Sequence, residues 1–472
     1  MTQPSIKKNI AYKTLLVVSN YLISFITFPY VSRVLGVSNL GLVNFVDNTI
    51  NYFLIFASMG IGVLGVREIA KIKDDAKKRS KVFSNILGMN LLFTFAVLLV
   101  YLLLVCIVPK FEYSSELFFI GASKILFTAF LVEWFYTGME DFRYITLRSI
   151  IVKSIYVCSV FFLITKPEDY KCYFYLNVLV VVVNALINLV HSRKFVSVSV
   201  TDMLDTRFFK ENITLGIYNI MTSMYLTFNV MYLGLVSDNT QVGYYTTAFK
   251  LYTIILGFFS AFTNVMLPRM STLVGNDNLD DFKLLLKKSF TLIVMISIPV
   301  ILCSIILAPD IITLLAGSGY EGAVVPMRII MPVILLVGIA QVLAVQILMP
   351  LKKDSVLLKV SILGALVSII INLSCVKELQ TIGSALVMLV SEFVVTVSYI
   401  IYIVKKTDYS LPWIEILNSV FLSVPSFLVC LLSMYYFQNV FISLLVAGTG
   451  AVFVWFVMVA LFKRDTLKFF KL

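Results

Sequence analysis

Apolar residues run along this chain in stretches of membrane length, broken at short intervals by turn residues and charge. The stretches are 10–34, 41–66, 82–108, 115–138, 144–166, 171–191, 212–236, 246–270, 288–308, 326–349, 355–377, 381–404, 412–436 and 438–462. Each is close to or longer than the roughly 20 mostly apolar residues that an α-helix needs to cross a bilayer. They predict about 14 spanning helices. Nothing between them is long enough to fold as a separate soluble domain, the longest break being a short charged connector at 192–211. Residues 1–9 form a polar lead with Lys7 and Lys8, and the apolar run after it is too long for the core of a cleaved signal peptide.

Two of the stretches are polar along one helical face. In 41–66 the row is Asn44, Asp47, Asn48, Asn51 and Ser58; in 246–270 it is Thr246, Lys250, Thr253, Gly257, Ser260 and Asn264. A charge within hydrocarbon is costly and normally faces a bundle interior or a wet cavity. Half-polar spans in each half of the chain therefore predict a pathway for a polar cargo, and hence a transporter. Two further rows, Asn20, Ser24 and Thr27 in 10–34, and Tyr218, Thr222, Tyr225, Asn229 and Tyr232 in 212–236, carry the amide, hydroxyl and aromatic groups that suit sugar rings. Such residues also hold membrane helices to one another, and either use fits any one of them.

Helical rise sets their depth. Counted at about 1.5 Å per residue, Asp47 lies roughly 9 Å below the outer end of its span, and Lys124 and Lys250 lie about 10 Å into theirs. Arg33 stands at the outer end of the first span, shortly after the helix-weakening Pro29. Three cations and a carboxylate in one layer would attract phosphate or pyrophosphate strongly in a low-dielectric cavity. The alternative is a structural Asp47–Lys250 pair acting as a gate between the two halves. Glu392, near mid-depth of 381–404, and Glu133, toward the inner end of 115–138, are carboxylates suited either to ion coupling or to pairing with a cation.

Composition agrees with the pattern: 60% of the 472 residues are hydrophobic and 14% charged, with a mean hydropathy of +0.96. The net charge of +12 would suggest nucleic acid in a soluble chain, but here it sorts by side. With the N-terminus placed in the cytoplasm, the loops rich in Lys and Arg fall inside. Only Arg33, Lys110, Lys166, Lys171, Arg328 and Lys377 fall outside, and Lys124 and Lys250 lie in the membrane. Both termini are thus predicted to be cytoplasmic, with a basic inner face toward anionic lipid. The six cysteines lack metal or redox spacing, and the sole histidine, His191, ends a span. No phosphate-binding GxxxxGK[ST] loop, HExxH or GxSxG occurs. No cofactor, metal or nucleic acid is expected, and an enzyme is not; coupling to protons or sodium is open.

The halves echo each other. The short turn Leu35–Phe45 before the first half-polar span resembles Leu235–Tyr245 before the second, and Gly138–Phe142 resembles Pro350–Asp354 in place and polarity. An all-α integral membrane fold follows: a lobe over 1–205 (spans one to six), a second over 206–408 (spans seven to twelve), and an extra pair over 409–472. Six being even, the lobes would be related by a pseudo-two-fold axis along the membrane normal.

The runs Phe28–Gly36 and Gly60–Lys71, with Val242–Tyr245 and Leu267–Arg269 in the second half, resemble the polysaccharide repeat-unit flippases. These are the O-antigen and capsule translocases of the multidrug/oligosaccharidyl-lipid/polysaccharide exporter superfamily. The resemblance covers the whole chain. It implies two lobes whose spans one, two, seven and eight line a cavity, and a bacterial inner-membrane location. It also implies a cargo, an oligosaccharide on undecaprenyl pyrophosphate, and possible polymerase or export partners. Arg33 is the matched family position; Asn44, Asp47, Asn51, Lys124, Tyr225, Asn229 and Lys250 are cavity candidates from the residues themselves. The rivals are a multidrug extruder of the same superfamily, disfavoured by a cavity richer in cations than acids, and a membrane polysaccharide polymerase, which would need an outer catalytic loop. A scaffold that transports nothing is a further possibility.

Overall fold

The computed structural model describes residues 6–203, 205–224, 228–406 and 413–462. Among these it is helical throughout, with no strand. The principal helices of the first part are α1 (Ile6–Ser58), α2 (Ile61–Lys71), α3 (Ala76–Ile107), α4 (Ser115–Thr128), α5 (Glu133–Gly138), α6 (Phe142–Leu163), α7 (Tyr170–Ser192), α8 (Phe209–Met224) and α9 (Phe228–Val236). Those that follow are α10 (Asn239–Gly275), α11 (Leu279–Ile306), α12 (Ala308–Ala316), α13 (Val324–Ile330), α14 (Val333–Gln341), α15 (Asp354–Ile371), α16 (Lys377–Lys406), α17 (Trp413–Tyr436) and α18 (Val440–Phe462).

Eleven helical stretches among the described residues are long and apolar enough to cross a membrane, which makes this a multi-pass membrane protein. Two of them are of double length. Ala11–Ser58 has 48 residues and Asp354–Lys406 has 53, roughly 70–80 Å of helix against a hydrocarbon layer of about 30 Å. Each contains a break. Gly36 (φ 73°, ψ 168°) interrupts α1 where the sequence places its first outer turn, and Gln380 (φ 50°, ψ −121°) interrupts α16 between the eleventh and twelfth predicted spans. The φ at Gly36 is one that glycine reaches without strain. The seventh predicted span is described as two shorter helices, α8 and α9, on either side of 225–227.

Residues 1–242 and 243–472 form two compact units. In the first, α1 packs against α3, α4 and α6, and α4 lies against α3 and α7. Its tightest corner is where α2 meets α5: a Cβ on Gly65 would stand 2.5 Å from the Trp134 ring, and one on Gly138 would stand 2.8 Å from the Ile69 side chain. Phe83, Phe135 and Tyr136 are buried in the same cluster. In the second unit α11 is central, against α14 and α17, while α16 packs on α14 and α15, and α17 on α18.

The expected fourth span, 115–138, is divided. Helix α4 ends at Thr128, and α5 begins after Val132, a β-branched residue with φ 39°. The expected second span is divided as well, at Met59 (φ 43°) and Gly60. Polar side chains hold that second break: Asn212 accepts from the Gly60 N–H at 3.0 Å, and Asn219 donates to the Met59 carbonyl at 2.9 Å. Backbone groups released from a helix in an apolar setting need such partners.

The paired turns noticed in the sequence share one backbone design. Glu140 (φ 60°) and Lys352 (φ 54°) are both left-handed. Glu140 donates to Thr137 at 3.1 Å and Asp141 to Tyr136 at 2.9 Å; Lys352 donates to Met349 at 3.0 Å and Lys353 to Leu348 at 2.9 Å. These are matching Schellman closures, which satisfy the last helical carbonyls.

Candidate functional site

Asp47 and Asn51 lie one turn apart on α1, and Lys124 faces them from α4. The Lys124 ammonium donates to Asp47 Oδ1 at 2.5 Å and to Asn51 Oδ1 at 3.1 Å, while Asn51 Nδ2 donates to Asp47 Oδ2 at 3.0 Å. The cluster closes on itself because α1 and α4 pack side by side and i, i+4 positions share a helical face. The Lys124 side chain is 12% exposed and that of Asp47 29%, so the pair is sheltered without being sealed. An ammonium has three donors, and this arrangement engages two of them. The equal depths counted from the sequence thus bring Asp47 and Lys124 into contact.

One turn farther along the same two helices a cavity of about 280 Å³ opens. Ser58, Thr128, Asn90 and Thr94 bring polar groups to its wall, and Glu133, Trp134 and Thr137 line its far end. Thr128 continues the Lys124 turn, donating to the Lys124 carbonyl at 2.6 Å. Thr94 Oγ1 and Trp134 Nε1 are buried and have no hydrogen-bond partner among the described residues. The cavity wall therefore holds unused hydrogen-bonding capacity, which buried polar groups rarely retain.

Glu133 is held by Arg148, whose guanidinium approaches at 2.7 Å and is 5% exposed. Asn44 offers its carbonyl to Asn48 Nδ2 at 2.8 Å. Arg33 is exposed, and its Nη1 donates to the Pro29 carbonyl at 2.8 Å, one turn back along its own helix. Asn229 on α9 is fully buried. Tyr225 lies outside the described residues, as do the side chains of Tyr218, Thr222 and Asn264.

In the second unit Lys250 is partly buried on α10, and Glu392 on α16 is 4% exposed. The polar row on α10 continues to Ser260, which accepts from Gln341 Nε2 at 2.9 Å, and to Thr263, which donates to Gln341 Oε1 at 3.3 Å. Gln341 ends α14 and is followed by a π-helical stretch, Val342–Leu348. Such widened turns are frequent at functional sites. Sequence reading missed Asn90, Thr94, Arg148 and Gln341. The i, i+4 spacing of Asn90 and Thr94 was available in the sequence; the reach of Gln341 to α10 was not.

Residues 6–274 match the family described as Polysaccharide biosynthesis protein, more than half of the chain. The chain belongs to that family. It is 24% identical over 395 residues to the "Putative O-antigen transporter" of Escherichia coli (strain K12), covering 83% of this chain and 95% of that protein. It is 25% identical over 397 residues to the protein of the same name in Shigella dysenteriae, covering 82% and 98%. In fold it is similar to a lipid II flippase in an inward closed conformation (TM-score 0.79, 14% identity, 97% of this chain and 100% of that one). A multidrug-resistance transporter in an inward-facing conformation is also similar in fold (TM-score 0.60, 16% identity, 82% and 96%).

Proposed function

We propose that this member of the polysaccharide biosynthesis family is a flippase, which carries undecaprenyl-pyrophosphate-linked oligosaccharide units from the inner to the outer leaflet of the bacterial plasma membrane. The observation that carries the reading is the sheltered Asp47–Asn51–Lys124 cluster, beside a cavity to whose wall Ser58, Asn90, Thr94 and Thr128 bring polar groups. The O-antigen transporter relatives, matched along nearly their whole length, supply the cargo class. Membership of the family, and the weaker fold likeness to the multidrug transporter, favour this reading over drug extrusion.

In this mechanism Asp47 and Asn51 hold the Lys124 ammonium in place while no cargo is bound. A pyrophosphate carries more charge than one carboxylate, so it competes for the ammonium, whose third donor is still available. Lys250 and Arg33 add positive charge along the route, and Asn44 and Asn229, with Tyr225, meet the sugars. The polyprenyl tail stays in lipid while the two units rock in alternating access. Glu392 and Glu133 are the carboxylates through which a proton or sodium gradient would couple; the Arg148 partner of Glu133 gives that residue a charge to release. Both termini face the cytoplasm in this scheme, where polymerase and export proteins would meet the flippase.

The experiment is deletion and complementation in the source organism. Loss of the gene should abolish surface polysaccharide and accumulate lipid-linked repeat units on the inner leaflet, and wild type should restore export. Normal surface polysaccharide in the deletion strain, with no accumulated carrier, would overturn the proposal.

A further inference from the structure

A second charged cavity lies apart from the transport cluster, at the ends of two apolar helices. It has a volume of about 540 Å³ and is lined by the start of α3 and the segment after α7. Lys77, Lys81, Arg193 and Lys194 bring four cations to it, against one carboxylate, Asp202, which stands 3.9 Å from Lys81. Lys77, Arg193 and Lys194 enter no ion pair among the described residues.

The cavity is built, because its floor is pinned. Arg79 donates through Nε and Nη2 to the Phe195 carbonyl at 3.2 and 2.8 Å. The Ser197 N–H donates to Ser80 Oγ at 3.1 Å, and the Ser199 N–H donates to Ser84 Oγ at 3.0 Å. The connector therefore runs along the first turns of α3 in a fixed register. Ser80 also lines the cavity, and that contact uses its oxygen lone pair and not its hydroxyl proton.

An independent feature indicates where the ligand comes from. Val198 and Val200, on the same connector, are 47% and 74% exposed, and Val190 in the last turns of α7 is 63% exposed. Exposed valines beside a cationic cavity, where membrane helices leave the apolar layer, match a ligand with an anionic head and an apolar tail. We propose that this cavity binds the phosphate headgroup of an anionic phospholipid, with Lys77, Arg193 and Lys194 holding the phosphate and the valines contacting the acyl chains. Basic pockets at the ends of membrane helices bind such headgroups elsewhere. The site stands whether or not the flippase reading does, since it uses none of the cargo residues.

Native mass spectrometry on the full chain in detergent, titrated with phosphatidylglycerol or phosphatidylcholine, tests it. Wild type should retain phosphatidylglycerol and not phosphatidylcholine, and soluble glycerol phosphate should fail to displace the lipid. The triple variant Lys77→Gln, Arg193→Gln, Lys194→Gln should lose at least about tenfold in apparent affinity. Asp202→Asn, which removes the opposing charge, should gain. A control triple, Lys352→Gln, Lys353→Gln, Lys359→Gln, should bind as wild type does. Undiminished binding by the first triple, equal loss in the control triple, or displacement by glycerol phosphate would each overturn the proposal.

Discussion

Lys124 and Asp47 are 77 positions apart in the chain, yet the ammonium of one stands 2.5 Å from the carboxylate of the other. Removing either partner leaves an uncompensated charge in a sheltered site. With side chains 12% and 29% exposed, the cost falls between that of a surface pair and that of a sealed one, about 1–3 kcal/mol. Lys124→Met should therefore lower the melting temperature, and adding Asp47→Asn should restore part of the loss. A double-mutant cycle reads the coupling; additive effects would contradict a direct pair.

The break between α1 and α2 should tolerate little bulk. A Cβ on Gly60 would stand 2.4 Å from Leu215 Cβ and 2.7 Å from the Asn212 carbonyl oxygen. Backbone cannot yield there as a side-chain tip can. Gly60→Ala should destabilise by about 1–3 kcal/mol, and Gly62→Ala, with open space around it, should be nearly neutral. Equal thermal stability of the two variants would contradict the close approach.

The matched turns make a further prediction. Glu140 and Lys352 hold left-handed backbone that costs a side-chain-bearing residue free energy. Glycine at either position should raise stability by about 0.5–1 kcal/mol. At 140 the gain is reduced by loss of the Lys73 contact, which Glu140 makes at 3.3 Å. Thermal unfolding of the single variants checks both, and a loss of stability at Lys352→Gly would refute the left-handed assignment.

Acid should loosen the end of α2. Burial pushes the Glu68 carboxyl up, but hydrogen bonds from Lys71 and Arg67 outweigh it and hold the group below its ordinary range. A depressed carboxyl contributes stability that is present above its unfolded pKa, about 4.3, and lost as pH falls through the lower folded value. Glu68→Gln should therefore be less stable than wild type near neutrality, with the difference shrinking below about pH 4. A difference independent of pH would place the effect in packing instead.

The sequence made much of this legible because lipid imposes a simple code. Membrane-length apolar runs announce helices, and the rare charges within them announce interior faces. Asp47 and Lys124 were legible individually and by depth, since helical rise converts position into height. Their pairing was not, because depth leaves the rotation of two separate helices undetermined. The breaks at Met59 and Val132 were hidden for another reason: the left-handed residue in each bears a side chain, and what holds the first is Asn212 and Asn219, some 150 or more positions away. Arg148 reads in sequence as one more loop cation of the inner face. Only the fold turns it inward to Glu133.

In the proposed mechanism a lipid-linked pyrophosphate crosses the membrane with Lys124 as a contact for its charge. The most direct measurement is translocation of a lipid-pyrophosphate-linked oligosaccharide across reconstituted vesicles, comparing wild type, Lys124→Arg and the charge-neutral double variant Lys124→Met, Asp47→Asn. Wild type should translocate, the arginine variant should keep most of the rate, and the double variant should lose at least about tenfold, the effect of one charge-assisted contact. Full activity in the folded double variant would contradict the role given to Lys124, and no translocation by folded wild type with several glycans would contradict the account as a whole.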